Sequence, residues 1–127
     1  MTPFPALLGL ALTLFSLGTL AQGVAVEIYN NTGVDLCVDG QSRQDCKAIP
    51  SRQSGHVSMR SAQWIQFGMN SYRYNIPKVW FKPGLKLQAE ADGNLYLLPP
   101  EAKAPVPVLP KQPGGFPLSP TRKVDLT

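Results

Sequence analysis

Short runs in which apolar and polar residues alternate occupy much of the chain between residues 24 and 98, and they constrain the fold more than any other feature. Alternation with a period of two is typical of strands that bury one face. Gly, Pro, Asn and Asp residues separate the runs, and no run has a convincing helical period. About six or seven short strands with regular turns predict an all-β protein, a small antiparallel β-sandwich or barrel.

Two of these runs flank residues 31–33, and we interpret them as a first hairpin. A three-residue loop with its glycine in the left-handed conformation sets Ile28 opposite Leu36 and Val26 opposite Val38. A four-residue loop would instead pair apolar with polar residues. The three-residue register keeps the apolar side chains on one face, so we favour it.

A second hairpin is predicted at the Asp-Gly pair of residues 92–93, which suits a two-residue type I′ turn. This register pairs Ala89 with Tyr96. The expected core face consists of Leu85, Leu87, Ala89, Tyr96 and Leu98. Leu95 and Leu97 would then lie on the polar face, where the C-terminal tail or a partner would have to cover them.

The first 26 residues carry no charged side chain, and residues 6–20 are almost continuously apolar. The apolar core of about a dozen residues is shorter than the roughly 20 that a membrane-spanning helix needs. Thr19 and Ala21 are the small residues expected before a cut after Ala21. We predict a signal peptide over residues 1–21 and a periplasmic or secreted protein. A cut two or four residues later and an uncleaved anchor remain alternatives, because the segment before the apolar core has no Lys or Arg.

Cys37 and Cys46 are the only cysteines of the chain. Export would place them in an oxidising compartment, and a domain of roughly 75 residues gains from a covalent link. We therefore predict a disulfide bond between them. Their spacing is not that of a zinc motif and His56 is the single histidine, so neither a metal site nor a cofactor is expected.

The chain changes character at residue 99. Eight of the 13 prolines fall between Pro99 and Pro120, and proline favours extended backbone over a sheet. We therefore divide the mature chain into a β-rich domain over residues 22–98 and a proline-rich extended tail over residues 99–127. The tail is either flexible or an arm that lies across its own domain or a partner. The arm is suggested by five residues that are unusually apolar for a linker, and we give the two alternatives equal weight: Val106, Val108, Leu109, Phe116 and Leu118.

Catalytic patterns are weak, and we predict that the protein is not an enzyme. His56 lies between Ser54 and Ser58, but a strand histidine at the surface is the commoner explanation of such a pattern. A small hydrolase that uses His56 is the least favoured alternative. Asp39 and Asp45 could bind a cation, although we interpret them as solvated loop residues. The sequence contains neither a phosphate-binding glycine loop nor a zinc motif.

The distribution of charge is the most informative functional feature. Between Asp45 and Glu90 the chain carries seven basic residues and no acidic residue, together with six aromatic residues. Arginine and aromatic side chains together are typical of protein-binding hot spots and of grooves for polyanions. Six residues are the candidates for partner binding: Arg60, Trp64, Arg73, Lys78, Trp80 and Lys82.

These observations predict an exported, non-catalytic interaction protein that binds a macromolecular partner in the bacterial envelope, as an inhibitor, immunity factor or assembly factor. The partner would be a protein or an anionic envelope polymer, not a nucleic acid. No stable membrane span is expected after signal cleavage. The alternative is a carbohydrate- or cell-wall-binding module, in which Trp64, Tyr72 or Trp80 would stack on sugar rings.

Overall fold

The computed structural model describes residues 23–38 and 46–125, so the predicted signal peptide and the two aspartates of the disulfide loop lie outside the described residues. The described residues form strands joined by turns and irregular segments. The strands are β1 (Val24–Asn31), β2 (Leu36–Val38), β3 (Lys47–Ile49), β4 (Ser54–Met59), β5 (Ala62–Phe67), β6 (Asn70–Asn75), β7 (Leu85–Glu90), β8 (Leu95–Leu97) and β9 (Arg122–Asp125).

These strands form two sheets that pack face to face. One sheet has four strands in the order β4-β1-β7-β8, and the other has five in the order β3-β2-β5-β6-β9. Only β1 and β7 pair in parallel among the described strands. A single cluster of buried apolar side chains from both sheets fills the space between them. The prediction of an all-β sandwich is therefore confirmed.

The first predicted hairpin is wrong. β1 pairs with β4 and β7, whereas β2 pairs with β3 and β5 in the other sheet. Ile28 and Leu36 are both buried, as expected, but they approach the core from opposite sides. Alternation identifies the buried face of each strand and not its neighbour, so an arch between two sheets and a hairpin within one have the same pattern.

The side chain of Asn30 explains why the chain arches at this point. Asn30 is fully buried, and its amide donates to the carbonyl oxygens of Val34 at 2.8 Å and Ile49 at 2.9 Å. Its Oδ1 accepts from the backbone N–H and the hydroxyl of Thr32 at 3.0 and 2.6 Å. Such local bonds to the backbone compete with ladder pairing, and here they direct the chain out of one sheet and into the other.

The second predicted hairpin exists, but its register differs by one residue. Ala89 pairs with Leu95 and not with Tyr96. The loop contains three residues, 91–93, since the N–H of Glu90 donates to the carbonyl of Asn94 at 3.1 Å. Gly93 has a φ of 87°, a left-handed conformation that glycine adopts at little cost. The three-residue loop with a glycine at this position is the next commonest hairpin loop after the two-residue one.

This shift reverses the orientation of the β8 side chains, because successive strand residues point to opposite faces. Leu95 is fully buried in the core, and the half-buried Leu97 packs against it. Tyr96 lies on the outer face, where its hydroxyl donates to Asp92 at 2.7 Å. Leu98, beyond the end of the strand, is buried as predicted. In the observed register Leu95 and Leu97 face the core, so they need no cover from the tail or a partner.

The proline-rich segment runs across its own sandwich. Leu118 exchanges two backbone hydrogen bonds with Leu95, at 2.9 and 2.8 Å, along the free edge of β8. Phe116 and Leu118 are buried in the core, while Val108 is 83% exposed. β9 then pairs with β6 at the edge of the other sheet. The tail therefore joins the two sheets along one side of the sandwich.

Two glutamine side chains hold the tail by imitating a neighbouring strand. The fully buried Gln88 of β7 exchanges two hydrogen bonds with the backbone of Val106, at 2.9 and 3.2 Å. Gln112 of the tail makes the same pair with the backbone of Leu97, at 2.8 and 3.1 Å. A primary amide offers one donor and one acceptor in the spacing of a peptide group, so each glutamine satisfies backbone groups without another strand.

The predicted disulfide bond between Cys37 and Cys46 is confirmed, with a Cα–Cα distance of 5.4 Å. Cys37 lies on β2 and Cys46 directly precedes β3. Since Cys37 pairs with Gln66 of β5, the disulfide lies on the outer face of the five-stranded sheet. It closes the loop that connects β2 and β3.

Candidate functional site

The two outer faces of the sandwich differ in how their polar side chains are used. We call the outer face of β7, within the four-stranded sheet, the covered face, because residues 100–106 of the tail are bonded to it. There Lys86 donates to the carbonyl oxygens of Pro100 and Ala102, at 3.2 and 2.5 Å, and Gln88 holds Val106. Polar groups of this face are therefore bonded to the protein's own chain.

We call the outer face of the five-stranded sheet the bare face, because no hydrogen bond among the described residues ties the side chains of its two arginines to the tail. Its central row contains Trp64 of β5, Arg73 of β6 and Arg122 of β9, because Trp64 pairs with Arg73 and Arg73 pairs with Arg122. Directly paired residues of antiparallel strands have Cβ atoms about 5 Å apart on the same side of the sheet. The side chains of Trp64, Arg73 and Arg122 therefore leave the sheet from adjacent positions on the same side.

Both guanidinium groups lack a partner within the part of the chain that the structure describes. Neither Arg73 nor Arg122 has a side-chain hydrogen bond or an ion pair there, although Arg73 is half-buried. Like charges that face each other across a strand pair destabilise a sheet. The row thus combines two positive charges and their free donors with an aromatic surface.

The rows on either side of this one contain no carboxylate in the described residues. Towards the β5–β6 turn the next row is Ala48, Cys37, Gln66, Ser71 and Val124, and towards the other end it is Ala62 and Asn75. The positive charge of Arg73 and Arg122 is therefore not compensated by an acidic neighbour in these rows.

Trp80 and Lys82 lie elsewhere, in the connection between β6 and β7. They line a groove of about 480 Å³ between this connection, the end of β8 and the tail. The residues that line it are Val79, Trp80, Lys82, Pro83, Gly84, Leu85, Lys86, Leu97, Leu98, Pro99, Pro100, Pro110, Lys111 and Pro113. The indole of Trp80 meets the ring of Phe116 edge-on, with 6.1 Å between the ring centroids.

Arg60 and Lys78 are exposed in turns at one end of the sandwich. The two turns are joined, because the N–H of Ile76 donates to the carbonyl of Ser61 at 2.7 Å. The six predicted residues are therefore divided among three places. Trp64 and Arg73 are neighbours on the bare face, Trp80 and Lys82 line the groove, and Arg60 and Lys78 occupy these turns.

Sequence reasoning missed Arg122 on the bare face and Lys111 in the groove. Both lie in the tail, which the proline content removes from the predicted domain. Their positive charge was visible in the sequence. What could not be seen is that β9 pairs with β6 and that residues 110–113 lie opposite the β6–β7 connection.

His56 lies on the outer side of β4, with its side chain 80% exposed and its Nε2 3.5 Å from Oε1 of Glu27. Ser54 and Ser58 occupy the same side of the strand. This open surface lies outside the groove described above. Within residues 23–38 and 46–125, no three His, Cys, Asp or Glu side chains are close enough to hold a metal ion.

Tyr72 is not part of the bare face. Its ring packs against Phe67, with 5.1 Å between centroids, and against Tyr74, and the Nζ of Lys123 lies 5.8 Å from its centroid. Tyr74 donates to the carbonyl of Gly93 at 2.6 Å, and burial raises its pKa well above the ordinary value. These aromatic residues connect the two sheets.

No family model, curated protein or solved structure matches this chain. No helix among the described residues is long and apolar enough to cross a membrane.

Proposed function

We propose that the protein is an exported, non-catalytic interaction protein that binds an acidic protein partner in the bacterial envelope through its bare face. The observation that carries the proposal is the row of Trp64, Arg73 and Arg122, in which two arginines are paired across neighbouring strands and neither guanidinium group has a partner among the described residues.

The chemistry of this row favours carboxylates as ligands. A guanidinium group binds a carboxylate through two parallel hydrogen bonds, and such charge-assisted bonds are stronger than neutral ones. A carboxylate from a partner would also remove the repulsion between Arg73 and Arg122. Trp64 adds a large apolar contact, and Trp and Arg are the residues most enriched in binding hot spots.

Export is supported by the uncharged apolar segment at the N-terminus and by the disulfide bond between Cys37 and Cys46. Disulfide bonds persist in the periplasm and outside the cell. A periplasmic or secreted location would place the bare face among envelope proteins, and an inhibitor, an immunity factor or an assembly factor fits a small binding protein of this kind.

The test is affinity capture with the oxidised protein as bait in an envelope extract of its native host. We expect the wild type to retain one acidic protein in stoichiometric amount. An Arg73→Glu/Arg122→Glu variant should retain about tenfold less of that protein, or less still, since losing one side of a close charge pair costs several kcal/mol of binding free energy. A Lys47→Glu/Lys103→Glu variant has the same net charge and is the matched control. Equal retention by the wild type and the arginine variant would refute the proposal.

The alternative of a carbohydrate- or cell-wall-binding module depends mainly on Trp64, because its half-buried indole lies on the outer face of the sheet. In that case the retained material would be a glycan that survives protease treatment. Trp64→Ala would abolish its binding, and the double arginine variant would reduce it only modestly, since stacking does not require the charges.

A further inference from the structure

We propose that the groove between the β6–β7 connection and the tail is a second binding site, which takes a single-chain amphiphile with a carboxylate head, such as a long-chain fatty acid. This site is separate from the bare face and does not depend on the function proposed above.

The size of the groove suits a small molecule. Its volume of about 480 Å³ lies within the range of roughly 300–1,000 Å³ for small-molecule sites. Its walls include Trp80, Leu97 and Leu98 in addition to prolines. The side chains of Leu97 and Trp80 also contact the hydrophobic core, so the floor of the groove is fixed by core packing.

The backbone around the groove offers little to a peptide or a sugar. Prolines have no N–H to donate, and they make up much of the wall: Pro83, Pro99, Pro100, Pro110 and Pro113. The side chain of Gln112 accepts from the N–H of Leu97 and donates to its carbonyl, so neither group is free for a ligand. Lys86 occupies the carbonyl of Pro100, and Ala102 donates to that of Pro99. A hydrocarbon chain needs no hydrogen bonds and fits such a wall better than a polar ligand.

The charge around the groove selects an anionic head. Lys82 and Lys111 are exposed at its walls, and no carboxylate residue lines it. Lys86 is directed instead to the tail carbonyls of Pro100 and Ala102. An alkyl chain along Trp80 and Leu97 would leave its carboxylate near Lys82 and Lys111. The tail supplies Lys111 and part of the apolar wall, so the docked tail completes the site.

The test is calorimetric titration of the oxidised protein with sodium dodecanoate below its micelle concentration, compared with dodecyltrimethylammonium. The wild type should bind dodecanoate at least about tenfold more tightly than the cation. A Lys82→Glu/Lys111→Glu variant should reverse this preference. Both lysines are exposed, so this variant is expected to fold. Lys47→Glu/Lys103→Glu is the matched control and should keep the wild-type preference for dodecanoate.

The indole N–H signals in an NMR spectrum locate the bound ligand, because the chain has two tryptophans. Dodecanoate should shift the signal of Trp80 and leave that of Trp64 unchanged. Absence of dodecanoate binding to the wild type, equal affinity for the two amphiphiles, an unchanged preference in the lysine variant, or a shift of Trp64 alone would overturn the proposal. These outcomes do not involve Arg73 or Arg122, so failure here leaves the proposed function untouched.

Discussion

The covered face and the bare face belong to the same sandwich, yet their polar side chains differ in whether they bond to the protein's own chain. On the covered face, Lys86 and Gln88 bond to backbone atoms of the tail. On the bare face, Arg73 and Arg122 have no such partner among the described residues. Polar groups that bond to their own chain stabilise the fold, whereas opposed like charges reduce its stability. This difference is the reason why we propose the bare face as the binding surface.

The largest expected effect tests whether the tail belongs to the folded unit. Phe116→Ala should lower the free energy of unfolding by about 3 kcal/mol, because it removes a buried aromatic ring. Val108→Ala, at a tail position that is 83% exposed, should change it by less than about 0.5 kcal/mol. Urea denaturation measures both. If both variants lowered the free energy of unfolding by the same small amount, the tail would not contribute to the core and would not lie over the covered face.

The next largest expected effect concerns the disulfide bond on the bare face. Replacing Cys37 and Cys46 together by alanine should destabilise the protein by about 2–3 kcal/mol, since the closed loop is short. The measurement is urea denaturation of the variant and of the oxidised and reduced wild type. The reduced wild type should match the variant. If reduction had no effect on stability, the disulfide would not support the five-stranded sheet.

A smaller loss is expected from the covered face itself. Gln88→Ala should cost about 2 kcal/mol, because the partly buried backbone N–H and carbonyl of Val106 lose their partners. Faster hydrogen exchange at the amide of Val106 would show that the loss is local. Gln53→Ala, which truncates an exposed glutamine, serves as the control. Unchanged exchange at Val106 in the Gln88 variant would contradict the role assigned to this amide.

The smallest expected effect is a gain in stability and not a loss. Arg122→Gln should stabilise the protein by about 0.3 kcal/mol at low salt, because it removes the repulsion with Arg73. The gain should shrink as salt screens the charges. Thermal unfolding at low and high ionic strength measures it. A loss of stability in this variant would mean that Arg122 supports the fold, and the contrast between the two faces would fail.

Much of the core could be predicted from the sequence, because alternation reports the buried side of each strand. Val26, Leu36 and Leu87 are buried as expected, whereas the buried side of β8 was predicted wrongly. Strand neighbours could not be predicted in the same way. The buried side chain of Asn30 makes an arch where the turn residues indicate a hairpin, and one additional loop residue before Gly93 shifts the register of β8.

The candidate site was predictable only in part for a related reason. Trp64 and Arg73 share a row because β5 and β6 form a local hairpin. Arg122 reaches this row through a strand that lies at the end of a proline-rich segment. Two glutamines hold that segment in place. The sequence does not indicate that a glutamine side chain will make the backbone hydrogen bonds that a neighbouring strand would otherwise make.

Whether a partner binds the bare face is tested most directly by hydrogen exchange of the protein alone and in complex with its captured partner. We expect slower exchange in β6 and β9, around Arg73 and Arg122, and unchanged exchange in residues 100–112 over the covered face. Protection of residues 100–112 with no change in β6 and β9 would contradict this expectation, because the partner would then bind the covered face.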